Sequence, residues 1–208
     1  MIALNVIVFY FEKTLGPRSL AGFEYQFAFI PRHVDQWLTG SLPVSYALVP
    51  FLSSMFLHAT WWHVLSNMWF LRIFGDNVED RLGHFGYLIF YLLCGIGGNV
   101  VHFIFNFTSP LPTVGASGAI AGVMGAYFIL YPRARVLTWF ILPFWLPAWF
   151  VLGYWFLGEF LSGAASLVSS STGVGGVAFW AHVGGFVTGV LLIKLLPVRK
   201  NVYAFEEY

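Results

Sequence analysis

LGHFGYLIFYLLCGIGGNVVHFIFNFTSPLPTVGASGAIAGVMGAYFILYP, residues 82–132, runs for 51 positions without one Asp, Glu, Lys or Arg. A helix needs about 20 apolar residues to cross a hydrocarbon layer roughly 30 Å thick. The run therefore holds two crossings, about 84–107 and 116–131, joined by a turn. Working outward, charge is also absent between Asp35 and Arg72, and between Arg135 and Lys194 only Glu159 interrupts. Four more apolar segments follow from these gaps: about 1–15, 60–78, 136–160 and 178–196. A segment in lipid must satisfy every backbone N–H and C=O internally, and none of the six alternates with a period of two as a barrel strand does. All six are expected to be helices. The chain reads as one all-α, polytopic membrane domain over 1–208, a six-transmembrane-helix bundle with a long outer loop at 16–57 and a cytoplasmic tail at 197–208.

The composition agrees. Hydrophobic residues make up 59% of the chain and charged residues 9%, against about 25% charged in soluble domains, which excludes a water-soluble monomer. A net charge of +1 leaves no basic footprint for nucleic acid. Cys94 is the single cysteine and reads as a small buried hydrophobe. No repeat links the two halves, which disfavours inverted-repeat transporters. The first segment has only 11 residues before Glu12, about 16 Å of helix, half a crossing. It is expected to continue upstream of Met1, and neither a basic n-region nor an A-x-A-like site marks it as a signal peptide.

Lys and Arg orient the bundle. Arg81, Arg133, Arg135, Arg199 and Lys200 fall in alternate loops and the tail, with Lys194 beside them, so both termini are placed on the cytoplasmic side. The 16–57 loop carries Arg18 and Arg32 but weighs less because it is long. Its Phe23, Tyr25, Phe27, Phe29 and Trp37 suit the outer membrane interface. The expected location is a multi-pass protein of a bacterial inner membrane, with any site facing outward.

Polar residues inside spans are costly and mark candidate sites. Ser117 opens the fourth span within Gly115-Ala116-Ser117-Gly118, where unpaired helix N–H groups favour negative charge. An oxyanion formed by attack of Ser117 would meet donors already in place, although a serine there also simply caps a helix. His182, Gly185 and Gly189 share one face of the sixth span, and the Gly118/Gly122 stripe is the natural partner for that face. Ser117 to Arg133 and His182 to Arg199 correspond to about 24 and 26 Å of helix, so the hydroxyl and imidazole can be level. His63 and Asn67, spaced i, i+4, lie at the same depth and could supply oxyanion donors or join two helices by hydrogen bonding. Asn99 and His102 are expected to make interhelical hydrogen bonds, and Arg72 either to snorkel inward or to pair with Asp76. Glu159 is expected to reach the interface at the outer end of the fifth span, which Pro143 and Pro147 should bend. Trp62, Trp69, Trp145, Trp149 and Phe156 read as lipid-facing.

Taken together, His58-x4-His63-x3-Asn67, Val78-Glu79-Asp80-Arg81-Leu82-Gly83, Gly115-Ala116-Ser117-Gly118 and Ala181-His182-Val183-Gly184-Gly185 with Gly189 resemble the rhomboid intramembrane serine proteases in order and spacing. The resemblance implies a six-helix core, a dyad of Ser117 and His182, and oxyanion contributions from His63, Asn67 and the Ser117 N–H. It also implies supporting roles for His58, Gly115, Gly118, Gly185, Gly189, Glu79 and Arg81. Many relatives have Tyr four residues after the serine, stacked on the histidine; here Ala121 stands there, so another side chain must orient His182. The first loop also lacks the Trp-Arg pair of some bacterial members.

No acidic residue is expected near the site, so catalysis would rest on the dyad alone. Substrates would be transmembrane segments of other proteins in the bilayer, cut near the outer face where Gly or Pro weakens the helix. No cofactor or metal is implied. Two other readings are a silent member of the architecture that binds client helices, and a haem or metal protein using His63, His102 and His182.

Overall fold

A computed structural model of the chain describes residues 1–139, 143–168 and 178–199. The end of the expected fifth loop, 169–177, and the tail from Lys200 onward lie outside the described residues.

The fold is mostly helical. The first segment forms α1 (Ile2–Thr14). The 16–57 stretch is not a plain loop but a series of short helices, α2 (Pro17–Phe27), α3 (Pro31–Leu38), α4 (Val44–Leu48) and α5 (Pro50–Ser53), followed by a single 3₁₀ turn at Ser54–Phe56. Pro17, Pro31 and Pro50 each open one of these helices, because a proline's missing N–H costs nothing in the first turn.

α6 (Trp61–Asn106) contains both the second and the third predicted segments. Thr60 caps it, its Oγ1 accepting the His63 N–H at 3.1 Å. Gly83 interrupts it with φ +71 and ψ +161, a conformation side-chain-bearing residues avoid. The chain folds back there: a Cβ on Gly75 would stand 2.8 Å from the Tyr87 hydroxyl, whereas 12 residues of straight helix span about 18 Å. α7 (Ser117–Leu130) and α9 (Phe179–Leu195) match their predicted segments.

The fifth segment departs from expectation. β1 (Arg135–Trp139) pairs antiparallel with β2 (Pro143–Pro147), and α8 runs Ala148–Val168. Pro143 and Pro147 therefore do not bend a helix. They lie in β2, and α8 begins at the residue after Pro147.

Among the described residues, α6 and α8 are long and apolar enough to cross a bilayer. α7 and α9, with 14 and 17 residues, fall short of the roughly 20 of a full crossing. The core lies where α6, α7 and α9 meet, around Phe90, Tyr91, Cys94, Ala121, Val123 and Met124. Trp62, Trp69, Trp145 and Trp149 point outward as expected, whereas Phe156 packs on Phe186 with ring centroids 4.6 Å apart.

One end of the bundle gathers cations. Arg81 Nε donates to the Arg199 carbonyl at 2.7 Å, and the Arg199 N–H donates to the Arg81 carbonyl at 2.9 Å. The Tyr131 hydroxyl donates to the Asn77 carbonyl at 3.1 Å. The α6 bend, the end of α7 and the chain beyond α9 thus meet at one end, leaving the N-termini of α7 and α9 at the other.

Candidate active site

α7 and α9 approach through glycine. A Cβ on Gly185 would overlap the Gly118 carbonyl, and one on Gly189 would overlap the Gly122 carbonyl. Without side chains between them the two backbones touch, and the first residues of α7 come opposite the first turn of α9. There Ser117 Oγ lies 2.7 Å from His182 Nε2.

The imidazole's other nitrogen is occupied as well. His182 Nδ1 lies 2.8 Å from Glu159 Oε2, and the two side chains are only 12% and 15% exposed. This corrects the expectation of an acid-free site with Glu159 at the interface. The paired strands β1 and β2 precede α8, so α8 starts late and Glu159 falls mid-helix, facing α9. Trp155, one turn earlier on α8, sets its ring 5.9 Å from His182.

Gly115 adopts φ +125, and its N–H donates to the Ser54 carbonyl at 2.9 Å. A Cβ there would stand 2.7 Å from His63 Nε2 and 3.6 Å from Asn67 Nδ2, so both conformation and space require glycine. This close approach brings the α6 pair to the backbone two residues before Ser117. Asn67 Nδ2 is buried without a hydrogen-bond partner among the described residues. Such an amide costs about 1–3 kcal/mol unless something outside the resting protein fills it. Ser117, His182, Glu159, His63 and Asn67 all line one cavity of about 720 Å³.

The remaining candidates surround this cluster. The His58 ring is buried and lies edge-on to His63 at 5.0 Å. Burial, reinforced by the neighbouring His63, pushes its pKa down to about 4. Its backbone N–H donates to Glu12 Oε2 at 3.1 Å, a buried acid that the sequence reading treated only as the end of a span. Asn99 Nδ2 donates to the Phe51 carbonyl and Ser54 Oγ, each at 3.1 Å, so it holds the short-helix region rather than another span. His102 Nε2 lies 3.1 Å from Thr113 Oγ1, in the strand-like contact where Phe29 and Thr113 exchange backbone bonds. Glu79 Oε1 contacts His84 Nδ1 at 2.6 Å, and Arg72 pairs with Asp76. Among the described residues no three His, Cys, Asp or Glu side chains converge as a metal site.

The family model of the Rhomboid domain matches residues 46–199. Similar proteins include "Rhomboid-like protein 11, chloroplastic" of Arabidopsis thaliana, 32% identical over 160 residues, covering 70% of this chain and 51% of that protein. "Rhomboid protein 1, mitochondrial" of Saccharomyces cerevisiae is 31% identical over 151 residues, 69% of this chain and 40% of that protein. "RHOMBOID-like protein 2" of Arabidopsis thaliana is 33% identical over 155 residues, 74% of this chain and 44% of that protein. The chain spans about half the length, or less, of the curated relatives it matches. Two of these names are organellar, and the expected bacterial inner membrane finds no support in them.

Proposed function

The chain belongs to the rhomboid family of integral membrane proteins, and from that premise we propose that it is an intramembrane serine endopeptidase cutting transmembrane segments of other proteins. The observation that carries the reading is the 2.7 Å contact between Ser117 Oγ and His182 Nε2 at the wall of a cavity that also holds the Asn67 amide, whose Nδ2 has no hydrogen-bond partner among the described residues. In the reaction, neutral His182 takes the Ser117 proton at Nε2 as Oγ attacks the scissile carbonyl. The carbonyl oxygen gathers negative charge toward the Asn67 amide, His63 and the Ser117 N–H. The C–N bond then breaks, His182 returns the proton to the leaving amine, and Ser117 holds the acyl group. Water attacks that ester, again with His182 as base, and frees the carboxylate product and Ser117.

The bundle is read as six crossings: α1, the two halves of α6, α7, α8 and α9. Arg81, Arg133, Arg135 and Arg199 lie at the cytoplasmic end and the cavity toward the outside. The domain is read as the whole chain. The scissile bond must be locally extended, so substrates whose helix is weakened by Gly or Pro near the outer boundary are preferred. A haem or metal role for His182 is disfavoured by the engagement of both its ring nitrogens.

The test is cleavage of a reporter transmembrane substrate in proteoliposomes by the wild type, Ser117→Ala and His182→Ala. Both variants are expected to lose about 10⁴-fold or more in kcat, and Asn67→Ala about 10²–10³-fold. Equal product from wild type and Ser117→Ala overturns the protease reading in favour of a client-binding one.

A further inference from the structure

An imidazole that serves a serine must present an unprotonated Nε2, and in a free ring the proton sits on either nitrogen. Here Glu159 Oε2 is 2.8 Å from Nδ1 and Ser117 Oγ is 2.7 Å from Nε2. An ionised carboxylate only accepts hydrogen bonds, so with Glu159 ionised this contact puts the proton on Nδ1 and leaves the Nε2 lone pair facing the hydroxyl. Glu159 is the one acid between Asp80 and Glu206. A largely enclosed carboxylate in an apolar helix is expensive unless bonded, and among the described residues His182 is the side chain it contacts within hydrogen-bond distance.

Resting on the serine protease reading above, we propose that Glu159 is the positioning residue of a Ser117–His182–Glu159 triad: it selects the Nδ1–H tautomer of His182, holds the ring toward Ser117, and stabilises the imidazolium when the serine proton arrives. Trp155 assists from the same face of α8, since residues four apart on a helix lie side by side, and its ring flanks the imidazole at 5.9 Å. The pair takes the place left by Ala121, which is fully buried on α7 and too small to reach the ring. The acid is supplied by α8, a different helix from those carrying the nucleophile and the base. The triad is therefore complete only while α8 is docked on α9.

The experiment compares kcat and KM of the full chain in proteoliposomes for wild type, Ser117→Ala, Glu159→Gln, Glu159→Ala and Glu159→Asp, with a melting midpoint for each. Removing the charge of a triad acid while keeping its shape costs about 10⁴-fold in kcat in a serine protease. Glu159→Gln is expected to lower kcat by about 10²–10⁴-fold with KM within about twofold of wild type. Glu159→Asp, which keeps the carboxylate, recovers at least tenfold over Gln. A side chain that merely glues two helices would instead move the melting midpoint and KM together. The proposal is overturned if Glu159→Gln keeps kcat within twofold of wild type while Ser117→Ala is inactive, or if the loss tracks the melting midpoint. If Ser117→Ala is as active as wild type, the serine reading fails and this inference fails with it. Nitrogen-15 spectra of His182 give a readout independent of turnover: protonated Nδ1 in wild type and a mixed tautomer in Glu159→Gln support the proposal, and a proton on Nε2 in wild type overturns it.

Discussion

Two seams meet at His182, and they are built from different parts. Between α7 and α9 the contact is backbone on backbone, Gly185 against the Gly118 carbonyl and Gly189 against the Gly122 carbonyl. Between α8 and α9 the contact is made by side chains: Phe156 on Phe186 at 4.6 Å, Trp155 beside His182 and Glu159 bonded to it. The outer face of α8 carries exposed Tyr154, Leu157 and Leu161. A backbone seam sets a spacing that no rotamer change alters, so it governs how far Ser117 stands from His182. A side-chain seam sets which way the ring faces, and it can loosen one contact at a time.

The strongest way to break this contrast is a methyl group. Gly185→Ala drives a Cβ into a carbonyl that has nowhere to swing, and the helices must part. Overpacking of this kind costs about 1–3 kcal/mol, and a displacement of about 1 Å at reacting groups costs around 10²-fold in rate. Gly158 on α8 has nothing within 4 Å of its Cβ position, so Gly158→Ala is expected to leave activity unchanged and to raise stability by up to about 1 kcal/mol. Melting curves and cleavage rates of the two variants check this. Equal losses in both would mean that α8 is built in as tightly as α7.

The backbone seam was legible in the sequence and the side-chain seam was not. Gly118, Gly122, Gly185 and Gly189 have helical spacing, and counting to Arg133 and Arg199 placed Ser117 and His182 at one height. Residues 136–160 carry no such periodicity. A short apolar run reads equally well as strand or buried helix, and β-branched Val136 and Thr138 with Pro143 and Pro147 favour the paired strands. Assigning those residues to a helix displaced α8, and with it Glu159, from the middle of the element to its end. Pro147 directly before Ala148 was the available signal, since proline commonly precedes or opens a helix. The partnership of Glu12 with His58 joins residues 46 apart, a kind of pairing that local patterns do not encode.

That partnership marks a second flank held by side chains. α1 meets the start of α6 through Phe9 edge-on to Trp61 at 4.8 Å and Lys13 Nζ donating to the Ala59 carbonyl at 3.3 Å, with buried His58 between them. The folded pKa of His58, about 4, lies below the ordinary 6.5, so the unfolded chain binds the proton first. Its contribution is therefore full above about pH 6.5 and is lost as pH falls toward 4, about 3 kcal/mol over the window. The wild-type melting midpoint is expected to fall between pH 7 and 4 by more than that of His58→Gln. Parallel pH curves for the two proteins would show that this flank does not sense acid through His58.

The smallest expected effect separates the two seams most cleanly. Phe156 is half-buried, so Phe156→Ala should cost about 1–2 kcal/mol, less than the roughly 3–5 of a fully buried phenylalanine. The Ser117 to His182 spacing belongs to the other seam and should survive. What loosens is the docking of α8, and with it the grip of Glu159 on the imidazole. A fall in kcat of about three- to tenfold is expected in the wild-type background. In Glu159→Gln, where that grip is already gone, the same substitution should cost nothing further, because two changes acting through one contact are not additive. A double-mutant cycle measured on kcat decides the matter. If the two losses simply multiply, α8 acts on the site by a route other than Glu159, and the division between a seam that sets distance and a seam that sets orientation does not hold.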